Sequence, residues 1–513
     1  MRVIVVGGGH NALVAATYLA RAGHDVEVLE AKDHVGGAAV SERPFPGVDV
    51  RLSRYSYLVS LLPDALADDL GLDLELRHRQ VSSCTPYPGP GGPAALVVTD
   101  DRAATRASFR DRTGDDAEHD AWESFYADAQ VLVDALASTV LQPLPSEATV
   151  RDAVPDTVWR DLVARPLGEA LERRFHDDLV RGVVATDALI GTFASLRETS
   201  LVQNRCFLYH VLGGPWRVPV GGMGAVTAAL ARAAREAGAR LTTGARVSAV
   251  EPDEAGVTVR TADDGEQARR ADWVLSGVAP ATLDGLTARG GASGPRPVGA
   301  QLKLNMVLER LPRLRSGVDP AVAFAGTLHS GEGYDDLERV HRAVAAGTPL
   351  GDLPGAPPGE VYCHTLTDDS ILSPALAAAG VHTLTYFGLH VRADDPTPRD
   401  RLVAQAVAGL ETHLAEPLAP LLLRDARGEP CLEAKVPLDV EADLGMPGGH
   451  IFHGDLSWPW LPGDAVAEDP ARRWGVATAY PRVLVCGSGA VRGGAVSGIA
   501  GHNAAHALLE LAD

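Results

Sequence analysis

Three glycines set between an apolar pentapeptide and an Ala-rich stretch constrain this chain more than any other feature. The N-terminus reads RVIVV (2–6), GGG (7–9), HNALVAATYLARAG (10–23) and DVEVLEA (25–31). A short, fully apolar run predicts a buried parallel strand. The Ala-rich stretch predicts a helix that stops at Gly23, and the run after it predicts a second strand. Gly7, Gly9 and Ala12 then form GxGxxA at a strand-to-helix junction. The first glycine permits the tight turn, the second lets backbone approach a pyrophosphate, and the small third residue lets helix and strand pack closely. Unpaired N–H groups at the helix start point at the anion. Glu30 ends the second strand, where a carboxylate accepts hydrogen bonds from a ribose diol. His10, Asn11, Ala31 and Lys32 flank these positions and complete the candidate set for a dinucleotide. The competing reading is a Gly-rich turn heading an ordinary βα unit.

Two further glycine clusters point to FAD rather than NAD. In EAKDHVGGA (30–38), Gly36 and Gly37 follow the ribose acid by six residues. A glycine pair there lets a second backbone segment close on the pyrophosphate or flavin side, which an NAD domain does not need. At the other end, VLVCGSGAVRGGAVSGIAGHNAA (483–505) reads as strand, Gly-rich loop and helix. Such a helix aims its N-terminus at the electron-rich edge of a reduced flavin. An ordinary turn and a plain capped helix are the alternatives.

Between these ends the pattern predicts an α/β chain: a Rossmann-type FAD-binding domain assembled from separated segments, with an inserted α+β substrate-binding domain. The FAD-binding domain takes 1–62, 215–289 and 441–513. The insertion takes a mainly helical part, 63–214, and a sheet part, 290–440. HDAWESFYADAQVLVDALAS (119–138) is a helix and QLKLNMVLERLP (301–312) a strand on this reading. GGASGPRPVG (290–299) is a linker candidate. VGGMGA (220–225) resembles a second fingerprint, but no suitable strand precedes it.

Composition narrows the partners. The 513 residues carry 46 Lys+Arg and 67 Asp+Glu, a net charge of −21. That balance argues against nucleic acid and against anionic membranes. The basic residues are almost all Arg, the lysines being Lys32, Lys303 and Lys435. Five scattered cysteines form no CxxC pair, which argues against a disulfide framework, a zinc site and a reactive dithiol. No apolar run reaches the roughly 18 residues of a membrane helix. The chain starts directly on a strand, leaving no room for a leader, and the expected location is the cytoplasm. SYLVSLL (56–62) leaves open a peripheral membrane or partner contact, although a buried segment is the simpler expectation.

GGGHNALVAATYLARAGHDVEVLEAKDHVGGAAVSE, followed by PGV and SRYSYLVSLL, resembles the phytoene-dehydrogenase-like branch of the FAD-dependent amine oxidase and desaturase superfamily. Within it the sequence is most similar to the group called pyridine nucleotide-disulfide oxidoreductase domain-containing protein 2. IGTFASL, WRVPVGGMGAV, KLNMVLERLP, IFHGDLS and CGSGAVRGGAVSGIAGHNAA fit as well. The resemblance implies that Gly7, Gly9, Asn11 and Glu30 hold the ADP portion. It places Gly36, Gly37 and Ala38 along the pyrophosphate and ring, with Gly221, Gly222 and Met223 near the isoalloxazine. It has Val247 bond the adenine through its backbone and Gly487, Ser488, Val496 and Ser497 close the flavin site. The chain departs from many relatives at Ala38, where they carry Arg, and from some at Arg492, where they carry Pro. No disulfide-reductase machinery accompanies the group's name: the chain has neither a cysteine pair nor a second nicotinamide fingerprint.

A flavin needs little from the protein beyond orientation and a dry pocket to take up a hydride. Lys303 is the candidate catalytic residue. The resemblance places it near the flavin's central nitrogen, where an ammonium positions a water or tunes the ring; a surface lysine on a strand is the alternative. His453 and Asp455 in IFHGDLSWPW are candidate acid/base groups, against a satisfied loop histidine. Trp216, Trp458, Trp460, Tyr55 and Tyr57 are candidates for an apolar channel. The expected function is an FAD-dependent oxidoreductase abstracting hydride from a C–H bond of an apolar or amphipathic small molecule, as a desaturase does, with electrons passed to oxygen, a quinone or another diffusible acceptor. A flavin amine oxidase, a non-redox polyene isomerase and a non-catalytic flavin-binding scaffold are the rivals. No metal is expected.

Overall fold

A computed structural model describes residues 1–262, 267–287 and 296–512. The N-terminal reading holds closely. Strand Arg2–Val6 leads into helix His10–Arg21 and then strand Asp25–Leu29. These strands pair in parallel with three others in the order Val483–Val485, Trp273–Ser276, Arg2–Val6, Asp25–Leu29 and Arg240–Thr242. One parallel sheet therefore gathers its strands from the start, the middle and the end of the chain. Helices His10–Arg21, Met223–Glu236 and Ile499–Ala512 cover it, sharing a core that includes Leu13, Val26, Leu230 and Leu508.

The first and last helices touch backbone to backbone. Gly501 faces helix His10–Arg21 so closely that a Cβ there would lie 1.9 Å from the Asn11 carbonyl oxygen. The turns beneath them are knitted the same way. The Gly7 N–H donates to Leu29 O at 2.8 Å, the Gly277 N–H to Val6 O at 2.8 Å, and the Cys486 N–H to Ser276 O at 2.8 Å. The three glycine turns thus stack at the C-terminal edge of the parallel sheet, where open α/β sheets bind ligands.

A second, seven-stranded sheet runs in the order Leu432–Lys435, Ala300–Leu308, His382–Arg392, Gly359–Tyr362, Thr327–Ser330, Val81–Gly89 and Gly92–Thr99. It includes the hairpin 81–99 from the segment read from sequence as mainly helical. Helices Ala117–Ala137, Leu167–Arg174, Asp178–Thr186 and Val202–Leu212 pack together on a core built around Phe125, Phe175 and Phe207. Most of the linker candidate 290–299, together with the boundary at 289/290, lies outside the described residues.

Register across this sheet places functional residues in a line. Lys435 pairs with Lys303, Lys303 with Phe387, Phe387 with Glu360, and Glu360 with His329. Residues directly opposite in antiparallel strands share a face. One row on one face therefore carries two lysines, an aromatic ring, a carboxyl and an imidazole.

Arg492 explains the shape of the C-terminal loop. It is 1% exposed and adopts a left-handed φ of 65°. Its guanidinium donates to Thr139 O, Gln142 O and Pro459 O. Burial pulls its pKa down to about 10, still well above neutrality. The residue tethers the loop to the helical block and does not reach the cavity described next.

Candidate flavin site

A cavity of ≈ 570 Å³ lies between the two sheets. Its walls bring together Gly7, Gly9, His10, Asn11, Ala12, Glu30, Ala31, Lys32, Gly37, Ala38, Val247, Lys303, His453, Gly487, Ser488 and Val496 from the sequence candidates. Residues from the first forty positions and from the last thirty meet on one surface.

The phosphate turn is left unoccupied by protein. Gly9, the residue before helix His10–Arg21, supplies no side-chain cap, and the first helical turn carries no acid. A Cβ at Gly9 would meet nothing within 4 Å and would project into open space. The Asn11 side chain is buried, yet neither its Nδ2 nor its Oδ1 has a partner. A buried amide left unpaired is costly unless a ligand satisfies it. Glu30 accepts from the Gly8 N–H at 2.7 Å and the Lys32 N–H at 2.9 Å, which fixes its carboxylate at the cavity edge. A diphosphate with its ribose fits this donor set: free helix N–H groups, an unpaired amide and an oriented carboxylate.

Gly36 does not reach the cavity, because it is used to press the second loop onto the first. Its N–H donates to Gly8 O at 2.8 Å, and with φ 136° a Cβ would lie 2.6 Å from Val40. Gly37, with φ 57°, packs against the Cα of Gly9 and faces the cavity. At the other end, Ser497 is buried and its Oγ accepts from the Ile499 N–H at 3.2 Å, ordering the start of the last helix. It lies behind the cavity wall that Val496 lines.

Gly221, Gly222 and Met223 do not line the cavity. The strand before them, Arg217–Pro219, pairs antiparallel with Leu76–His78 and stands outside the parallel sheet. Their turn therefore opens elsewhere. The Gly221 N–H donates to Asp368 at 2.8 Å, a Cβ at Gly222 would strike Ser41 Oγ at 2.7 Å, and Met223 is fully buried in the core.

All three lysines of this Arg-rich chain border the cavity: Lys32, Lys303 and Lys435. Lys435 and Asp443 were not singled out from sequence. Lysine scarcity was the available signal for the first, and nothing marked the second. The Asp443 carboxylate accepts from Lys435 Nζ and from the Tyr55 hydroxyl, the latter at 2.9 Å. Burial raises the Asp443 pKa, but the Lys435 and Tyr55 hydrogen bonds outweigh it and hold it below the usual range. Lys303 is 4% exposed and donates to Ser53 O at 3.1 Å and to Tyr55 O, with the Tyr57 ring centroid 5.1 Å from Nζ. Burial brings its pKa down to about 7, with Glu433 opposing. A neutral amine has two N–H groups, and two carbonyls take them, so its lone pair is free.

His453 is buried with a left-handed φ of 66°, and its Nδ1 has no partner. Burial lowers its pKa to about 4, and that of His10 likewise to about 4, so both rings are neutral near pH 7. His10 Nε2 lies 3.2 Å from Ala495 O, linking the first helix to the last loop. Asp455 stays outside: its side chain is 70% exposed beside His450. Tyr55, Tyr57 and Trp216 line the cavity, whereas Trp458 and Trp460 stack on each other at 4.8 Å against the helical core. In SYLVSLL, Val59, Leu61 and Leu62 are buried. No helix among the described residues is long and apolar enough to cross a membrane.

The fold and this donor set define a flavin-dependent oxidoreductase of mixed α/β architecture. The family described as flavin containing amine oxidoreductase matches residues 13–418, and the chain belongs to that family. An uncharacterized protein of Mycobacterium tuberculosis is 47% identical over 526 residues, covering 99% of this chain and 96% of the relative. Pyridine nucleotide-disulfide oxidoreductase domain-containing protein 2 of Rattus norvegicus is 29% identical over 556 residues, 98% and 92% covered. Among solved structures, cyclohexylamine oxidase of Brevibacterium oxydans superposes with a TM-score of 0.57 at 15% identity over 100% of this chain and 99% of that one. FAD is the cofactor of this family, and the free helix terminus, Asn11 and Glu30 fit its ADP half.

Proposed function

We propose that the protein desaturates an apolar or amphipathic small molecule at a C–C bond. Gly7, Gly9, Asn11 and Glu30 hold the ADP half of FAD, Val247 faces its adenine, and Gly37, Gly487, Ser488 and Val496 close on the remainder. The parallel sheet and its helices serve as the FAD-holding unit, and the seven-stranded sheet with the helical block forms the substrate side. Bound FAD supplies the hydride-accepting ring. Desaturation removes two hydrogens, one leaving as hydride with its electron pair and the other as a proton. Lys303 Nζ, with its lone pair free, accepts that proton. Neutral His453 offers a second polar contact on the cavity wall.

The observation that carries this reading is the charge of the cavity wall. Among the described residues lining it, the carboxylates are Glu30, Glu441 and Asp443, and each is already engaged. Glu30 takes two backbone N–H groups, Asp443 takes Lys435 and Tyr55, and Glu441 takes Arg296 and the Gly448 N–H. An ammonium substrate would meet no free anion there. Tyr57, Ile190, Trp216, Phe387 and Phe452 supply apolar surface for a neutral chain or ring. The five cysteines are buried and unpaired, burial raising the pKa of each thiol, and none lines the cavity. Electrons accordingly leave to oxygen, a quinone or another diffusible acceptor.

The Tyr57 and Trp216 rings favour one second reading, oxidation of an uncharged amine between aromatic faces. Anaerobic mixing of the yellow protein with polyenes, lipid metabolites and amines separates the two. Bleaching of the flavin by an alkyl or polyene donor is the expected result. Bleaching by amines alone would overturn desaturation in favour of amine oxidation.

A further inference from the structure

A cluster of unused polar groups lies at the far end of the row that begins with Lys435 and Lys303. His329, Glu332 and Glu360 each present one ligand atom, all within 4.8 Å of one another. They are 3%, 2% and 1% exposed, and none lines the flavin cavity. Both carboxylate oxygens of Glu332 and Oε2 of Glu360 are buried without a hydrogen-bond partner. Among the described residues no Lys or Arg lies within 4.0 Å of either glutamate. Two buried carboxyls side by side, with three of four oxygens unsatisfied, are expensive for the folded chain. We infer that His329, Glu332 and Glu360 bind a divalent transition cation of the Zn²⁺ or Mn²⁺ type.

The surroundings are those of a ligand set. His329 Nδ1 lies 2.8 Å from Thr85 Oγ1, and the tautomer that donates Nδ1–H to this hydroxyl leaves Nε2 its lone pair on the side of Glu332, 3.7 Å away. A metal-binding histidine is fixed by its second nitrogen in the same manner. Thr186 donates to Glu360 Oε1 at 2.9 Å, which leaves Oε2 for the cation. Helix Asp178–Thr186 approaches so closely that a Cβ at Gly182 would sit 1.9 Å from Glu332 O, pinning the turn that carries Glu332. Arg79 and Asp187 are the other charged groups facing the cluster. One imidazole and two carboxylates suit zinc or manganese better than calcium or magnesium. The cation would clamp the sheet to the helical block behind Tyr57 and Tyr362, whose rings pack at 4.2 Å.

The test uses flavin-loaded protein, stripped with chelator, dialysed against Zn²⁺ or Mn²⁺, passed through a desalting column and assayed by plasma mass spectrometry. Wild type is expected to retain about one equivalent per chain, and Glu360→Gln and His329→Gln about tenfold less. His119→Asn serves as control, since His119, Asp120 and Glu123 form a second, partly exposed grouping; it is expected to retain the full equivalent. A wild type retaining neither metal overturns the inference. So do Glu360→Gln and His329→Gln variants that retain the full equivalent, or loss confined to His119→Asn. Should both buried variants fail to hold flavin, zinc K-edge absorption of His119→Asn, which lacks the imidazole of the other grouping, decides. A nitrogen/oxygen shell with one imidazole supports the site, and a shell without imidazole contradicts it.

Discussion

Replacing Gly501 by Ala is expected to strip the protein of FAD. The added Cβ would stand 1.9 Å from Asn11 O, 2.8 Å from Asn11 C and 3.1 Å from Ala15 N. All three are main-chain atoms of helix His10–Arg21, so no side chain can swing aside. The helices must separate, at about 1–3 kcal/mol or more of overpacking strain. Separation moves Gly9 and Asn11, the residues that face the diphosphate, relative to Gly487 and Val496 on the same cavity wall. Each ~1.4 kcal/mol of that strain borne by the loaded form weakens binding about tenfold. The FAD Kd should therefore rise roughly ten- to hundredfold, with a lower Tm, as read by flavin fluorescence titration and thermal unfolding. Gly285→Ala is the matched control, since a Cβ there meets nothing within 4 Å. An unchanged FAD Kd in Gly501→Ala would mean that the terminal helices do not jointly position the cofactor.

Lys303→Met should leave FAD bound and cut its reduction by the donor that bleaches it by about 10²–10⁴-fold, the range of a positioned proton acceptor. Burial holds the wild-type amine at about pKa 7. Below that pH it is an ammonium with no lone pair; above it the neutral amine accepts. The wild-type reduction rate should thus rise with pH through an inflection near 7, and the variant's should not. The stability consequence has the same sign. The folded amine binds fewer protons than the unfolded one between about 7 and 10.5, so this group's contribution to stability rises with pH over that interval. A variant of undiminished rate, or one that keeps the inflection, would assign Lys303 a packing role.

What the sequence disclosed follows from locality. The phosphate turn, Glu30 and the glycines 36 and 37 are fixed by φ requirements and spacing within forty residues, and short range is where sequence patterns carry most information. The C-terminal loop was legible for the same reason. The place of Gly221, Gly222 and Met223 was less legible, because a Gly-rich turn before a helix looks alike whether or not the preceding strand joins the parallel sheet. Strand Arg217–Pro219 pairs with Leu76–His78 instead, a tertiary choice over a separation of about 140 residues. The contact of Lys435 and Asp443 with Tyr55 spans 388 positions, and the His329–Glu332–Glu360 cluster depends on the pairing of strands Thr327–Ser330 and Gly359–Tyr362, neither of which a local pattern announces. Lys435 alone left a trace, as one of three lysines in a chain that otherwise writes Arg.

Hydrogen exchange of the protein with and without FAD tests the central claim, that both ends of one chain close on a single flavin. Addition of one equivalent of FAD should slow exchange in peptides covering 7–14 and 487–503 together, and to the same saturation point. Protection of the first segment alone, with 487–503 unchanged at full FAD occupancy, would contradict it.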